Sequence, residues 1–216
     1  VTGYFGKVST HGDFVGRHLP APLVQAWDTW LQQCVQASQD RLGAAWLDRY
    51  LTSPVWRFAI APGVLGPEGL GGVMMPSVDR VGRYFPLMLG APGAPALLHW
   101  FHAQAAWYDA LEALARASLE QGFVLARFDD APAPALAAAG SATAGTGWRL
   151  DLSGEDATAA IANAALHGHS LWWTDGSPLV EASLLVCRGM PQAAGFAAML
   201  DGSWAVSGWQ LPGSVG

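Results

Sequence analysis

An α/β architecture is the fold class this sequence predicts: a single domain over residues 1–216, with a mixed β-sheet sandwiched between helices on both faces in three layers. Three observations predict it. Apolar residues recur at spacings of three and four along two long stretches, the mark of helices with one buried face. Short apolar runs such as residues 55–61 have the near-continuous hydrophobicity of central strands covered on both sides. The 216 residues are 51% apolar and only 13% charged, against roughly 25% charged in ordinary globular domains, so there is ample material for two cores.

The elements follow in order. Residues 4–8 are aromatic and β-branched, a strand, and lead into the loop of Ser9, Thr10, His11, Gly12, Asp13 and Phe14. Pro20 and Pro22 open a helix, where proline is tolerated in the first turn. Leu23, Trp27, Trp30, Leu31, Cys34, Val35, Ser38 and Leu42 share its buried face. A short helix over 44–51 carries Trp46, Leu47 and Tyr50. Residues 55–61 form a strand, and the Gly- and Pro-rich residues 62–72 a turn or long hairpin loop. Strands over 72–76 and 84–89 flank the polar insert 77–83 and, with no helix between them, pair antiparallel with their neighbours.

Residues 96–121 read as one long helix with Leu97, Trp100, Phe101, Gln104, Trp107, Leu111, Leu114 and Ser118 along one stripe, ended by Gly122. Residues 123–128 read as a strand, and 129–147, rich in Ala, Pro and Gly, as a surface loop. A strand over 148–152, a helix over 155–166, strands over 170–174 and 182–187, a helix over 191–200 and an edge strand over 204–207 complete the order. No internal repeat is present.

Composition excludes several classes. A chain this apolar and this poor in charge is not disordered. No apolar run reaches the roughly 18 residues of a membrane helix unbroken, so no membrane insertion is expected. Net charge is −6, from 11 basic and 17 acidic residues, and Lys7 is the one lysine. The ten arginines are scattered, which excludes the dense basic stripe that a nucleic-acid partner requires. Residues 1–8 read as a strand rather than a secretory leader, and Cys34 and Cys187 both sit in apolar settings. Free buried thiols and a cytoplasmic location are the expectation.

Chemistry-bearing motifs are few. Gly6-Lys7 lacks the upstream glycine of a phosphate loop, and the glycines at 66–72 lead into a strand rather than a helix. No nucleophile elbow occurs. His11, Asp13 and Ser77 lie in loops and are candidates for a triad, against the plainer reading that they bond backbone. His99 and His102, with His167 and His169, offer two histidine pairs, a weak metal signal without a carboxylate. No cofactor and no metal is expected.

The strongest local signal is residues 77–83. Ser77, Asp79, Arg80 and Arg83 place a hydroxyl, a carboxylate and two guanidiniums between apolar strands. Two readings stand. Either Asp79 accepts from turn amides while the arginines pair locally, or Arg80 and Arg83 are forks for an anion or a partner loop. Trp172-Trp173 is a second candidate place, since adjacent strand residues face opposite ways and an exposed indole would suit a protein partner.

These segments carry a resemblance. Gly6-Lys7, then Gly12-Asp13-Phe14-Val15 and Arg17, then Leu19-Pro20, resemble the opening of the type VI secretion system-associated TagF (ImpM) proteins. The run Pro76-Ser77-Val78-Asp79-Arg80-Val81-Gly82-Arg83-Tyr84-Phe85-Pro86-Leu87 is similar to that family's central signature. Ser170-Leu171-Trp172-Trp173-Thr174 and Gly189-Met190-Pro191 resemble later segments, so the likeness covers most of the chain. One departure is Ser9-Thr10-His11, where the family pattern leads one to expect a proline.

The resemblance implies a cytoplasmic accessory of a contact-dependent injection machine. Such proteins hold the apparatus off post-translationally, opposing a kinase–phosphatase pathway that converges on a forkhead-associated scaffold. It supplies no catalytic residues. Two functions therefore compete. One is a repressor that binds the scaffold through a surface drawn from Asp13, Arg17, Ser77, Asp79, Arg80, Arg83, Trp172 and Trp173. The other is a small hydrolase or anion-binding enzyme using Asp13, Ser77 and Arg83. Whether those three converge on an open pocket or on a closed network separates the two.

Overall fold

The computed structural model describes residues 1–93, 96–135, 162 and 164–210. Seven strands form one sheet: β1 (Gly3–Gly6), β2 (Val15–Arg17), β3 (Trp56–Ile60), β4 (Gly69–Met75), β5 (Leu87–Gly93), β6 (His169–Thr174) and β7 (Ser183–Arg188). Their order across the sheet is β2-β1-β5-β4-β3-β6-β7. The three layers are as expected, with one refinement: every pairing is antiparallel, so the sheet is not mixed. Short connections such as that between β4 and β5 suffice for antiparallel neighbours, whereas a parallel pair needs a long crossover.

Helices α1 (Ala21–Leu42), α2 (Trp46–Thr52) and α6 (Phe196–Asp201) cover one face. Helices α3 (Leu97–Ala103), α4 (Ala105–Ala117) and the single turn α5 (Ala126–Asp129) cover the other. The strand period of two divides the side chains between the layers. Trp56, Phe58 and Ile60 meet α1 and its neighbours, while Ala59 and Ala61 meet the α3–α4 side. Trp27, Trp30, Trp100 and Trp107 are all buried, as their helical spacing predicts. Trp27, Trp30, Phe58 and Trp172 form one aromatic cluster with ring centroids 4.9 to 6.0 Å apart. Cys34 and Cys187 are buried free thiols whose pKa values are pushed upward by burial, which disfavours the thiolates.

Four local expectations fail, each for a physical reason. Gly69 and Gly71 belong to β4, which is buried throughout, so the loop expected over 62–72 ends at residue 68. A Cβ on Gly71 would lie 2.5 Å from the Trp100 ring, so glycine there admits the indole onto the sheet. The helix over 96–121 breaks at Gln104, whose buried amide donates to and accepts from the Ala135 backbone at 2.7 and 3.1 Å. Residues 123–128 are not a strand. Phe123 and Phe128 turn back on each other at 4.8 Å, and Phe128 packs on Tyr4 at 4.7 Å. Residues 204–207 form a 3-10 turn, Ala205–Ser207, and not an edge strand, because the Ser207 and Trp209 amides both donate back to the Trp204 carbonyl at 3.1 Å and Gly208, at φ +80°, closes the turn. The strand over 148–152 and most of the 155–166 helix and of the 129–147 loop lie outside the described residues. No helix among the described residues is long and apolar enough to cross a membrane.

Candidate functional site

The polar insert forms a tight turn that begins where β4 ends. Val78 and Tyr84 bridge its base, and Gly82, at φ +86°, allows the sharp reversal at its tip. Asp79 is the centre. Its side chain is fully buried, and Lys7 Nζ, at the end of β1, donates to Oδ2 at 2.7 Å. Arg83 Nε donates to the same oxygen at 2.7 Å. Oδ1 accepts from the Val81 and Arg83 amides at 3.0 and 2.9 Å. Burial alone would raise the Asp79 pKa. Donation from Lys7, from the Arg83 amide and guanidinium and from the Val81 amide outweighs it and holds the carboxyl well below its usual range.

The shell around Asp79 is equally committed. Ser77 Oγ donates to the Lys7 carbonyl at 2.7 Å, and Ser77 is 3% exposed. Tyr50, buried in α2, closes a two-way clasp: its hydroxyl accepts from the Ser77 amide and donates to the Ser77 carbonyl, both at 2.9 Å. The loop after β1 docks on the turn, as the Arg80 amide donates to the His11 carbonyl at 2.9 Å and Arg83 Nη2 donates to the Gly12 carbonyl.

The outer surface of the turn differs in kind. Val81, at its tip, is 66% exposed. Arg80 is exposed, lies beside Gly12 and has no carboxylate within ion-pair distance among the described residues. Phe14 is 41% exposed; it stacks on Phe5 at 5.5 Å, meets Phe85 edge-on at 4.9 Å and lies 5.1 Å from Lys7 Nζ. Beyond Phe14, a groove of about 610 Å³ runs between β2 and α1, lined by Phe5, Val15, Arg17, Leu19 and Val24 among others.

The structure thus brings Ser77, Asp79, Arg80 and Arg83 together with the loop carrying Asp13. Asp13 itself is exposed and caps the Phe14 amide at 2.8 Å. Ser77 donates to a carbonyl, not to a base, so the His11–Asp13–Ser77 triad has no assembled geometry here. Arg17 stands on the neighbouring edge strand and pairs with Asp129 at 2.6 Å. Trp172 and Trp173 lie elsewhere. They do face opposite ways, but neither is the exposed indole expected, because helices cover both faces of β6. Trp172 is in the core, and Trp173 packs against Phe101 and Tyr108 at 5.1 and 4.8 Å. The histidine pairs gather no metal site among the described residues.

Sequence reasoning missed Lys7 and Tyr50. Lys7 had a visible signal, being the one lysine of the chain, but its partner is 72 residues away. Tyr50 reads locally as a core aromatic, and nothing nearby announces its polar partner.

Comparison with known proteins follows the same residues. A family model described as the TagF N-terminal domain, type VI secretion system-associated, matches residues 3–133, which include β1, the docking loop and the whole turn. No curated protein matches the chain. Among solved structures, the crystal structure of PA0076 from Pseudomonas aeruginosa PAO1 is similar over 100% of this chain and 99% of that one, at 39% identity and a TM-score of 0.88. With its matched segment spanning more than half of its length and holding the Lys7–Asp79–Arg83 turn, this chain belongs to the TagF family of type VI secretion system-associated proteins.

Proposed function

We propose that this chain is a cytoplasmic, non-catalytic regulator that represses a type VI secretion system post-translationally by binding a forkhead-associated scaffold component. The observation that carries this reading is the division within the turn. Inside, Ser77 and Asp79 have their hydrogen-bonding capacity taken up by Lys7, Tyr50, Arg83 and turn amides, which leaves little for proton transfer or nucleophilic attack. Outside, Arg80, Val81 and Phe14 present a guanidinium beside exposed apolar groups. An arginine next to apolar and aromatic surface is a composition that favours protein contacts. In this reading Asp79 holds the turn in shape, and the outer residues engage the scaffold.

The test is a double readout on Arg80→Ala and Arg83→Ala. Thermal unfolding reports the structural role; retention of purified scaffold and secretion from cells report the regulatory one. Both variants are expected to stay folded while binding and repression fall. Folded variants that bind and repress normally would remove the turn from the working surface. Loss of repression that tracks melting would make the turn purely structural.

A further inference from the structure

At the far edge of the sheet, away from the 77–83 turn, we infer a second binding site: β7 and the groove beside it take an extended acidic peptide segment as an added strand. Three observations converge there. First, β7 pairs only with β6, and no strand covers its outer edge among the described residues. It is six residues long and lacks the proline, lysine or bulge that blunt such edges, and Leu184 and Val186 are 49% and 53% exposed. Second, a groove of about 520 Å³ adjoins the end of this strand, with Val186, Arg188, Arg41, Gln192 and Trp209 among its lining residues. Trp209 is held as a wall by donating to the Gly195 carbonyl at 2.9 Å, and Arg41 is steadied by donating to the Val206 carbonyl at 2.8 Å.

Third, the groove is electrostatically unanswered among the described residues. No Asp or Glu lines it, and neither Arg41 nor Arg188 has a carboxylate within ion-pair distance among the described residues. In a chain of net charge −6, two arginines sharing one groove whose described lining holds no acid give that groove a local positive charge. Added strands draw affinity from main-chain hydrogen bonds and specificity from alternate side chains. Here the exposed Leu184 and Val186 suit apolar alternates, and the arginines suit carboxylates in a bidentate fork. Charge also argues against a second copy of this chain as the occupant. Two such edges would bring arginine-lined grooves together within bodies that already repel.

The probe is a fluorescein-labelled ten-residue peptide alternating valine with glutamate, titrated into the full chain by anisotropy at low salt. Its control alternates valine with lysine. The glutamate peptide is expected to bind, the lysine peptide to fail, and amides of residues 183–188 to gain hydrogen-exchange protection. Arg41→Glu and Arg188→Glu should each weaken binding roughly tenfold, and Val186→Lys should do so by blunting the edge, all with unchanged melting temperatures. Equal binding of the two peptides, protection confined to other segments, or full displacement by millimolar inorganic phosphate would overturn the proposal. So would a dimer of the free chain that Val186→Lys dissolves, since the edge would then belong to a second copy.

Discussion

The two arginine-bearing regions, the turn between the central strands β4 and β5 and the groove beside the edge strand β7, differ in how far their charge is already satisfied. At the 77–83 turn, Arg83 shares Asp79 with Lys7, and the carboxylate takes four donors in all. Beside β7, Arg41 and Arg188 meet no carboxylate among the described residues. A guanidinium already paired inside a network contributes to shape. One held in a groove without an acid is free to recognise. The turn combines both situations, with Asp79 at its centre and Arg80 on its outside.

The largest expected effect comes from the centre. Asp79→Ala leaves the Lys7 ammonium, 7% exposed at its side chain, without its partner, and strands the turn amides. The melting temperature should fall by roughly 10 °C or more, by calorimetry. A small shift would erase the contrast with β7.

Protonation approaches the same centre without mutation. The Asp79 pKa is depressed in the folded state, so its contribution is complete above the unfolded value of about 4 and is lost as pH falls through the lower folded value. Urea midpoints should therefore decline below about pH 4, and Asp79→Asn should flatten that decline. Parallel acid limbs in the two proteins would contradict the assignment.

Tyr50→Phe is the intermediate case. It keeps the ring but strands the Ser77 amide, while the Ser77 carbonyl still accepts from the Phe85 amide at 3.1 Å, so the cost is about 1–3 kcal/mol in urea unfolding. The smallest effects belong to exposed arginines. Arg83→Ala should cost only about 0.5–1 kcal/mol, because its side chain is 57% exposed and Lys7 still pairs with Asp79. Arg41→Ala and Arg188→Ala should stay within about 0.5 kcal/mol of the parent. A larger loss at either would mean the β7 groove is already satisfied from within.

Much of the architecture was legible because it rests on local periodicity. The stripe from Leu23 to Ser38 on α1, the apolar run of β3 and the alternation at Trp172-Trp173 each follow from spacing alone. The failures arise where a distant contact overrides local pattern. Gln104 breaks a helical stripe to hold Ala135, and Gly71 reads as a loop until Trp100 is seen pressed on it. The site divides in the same way. Residues 77–83 stand out by charge density, but the pairing of Asp79 with Lys7 and of Ser77 with Tyr50 spans 72 and 27 residues, beyond any motif.

The division of the turn into a buried anchor and an exposed working face is most directly tested on Arg80. Its backbone amide docks the loop at His11, yet its side chain is exposed and unpaired among the described residues, so Arg80→Glu changes the face and spares the anchor. Scaffold binding and thermal unfolding should be measured together on this variant. The account predicts a melting temperature within about 2 °C of the parent and at least roughly tenfold weaker binding. A folded Arg80→Glu that binds the scaffold as tightly as the parent would contradict it.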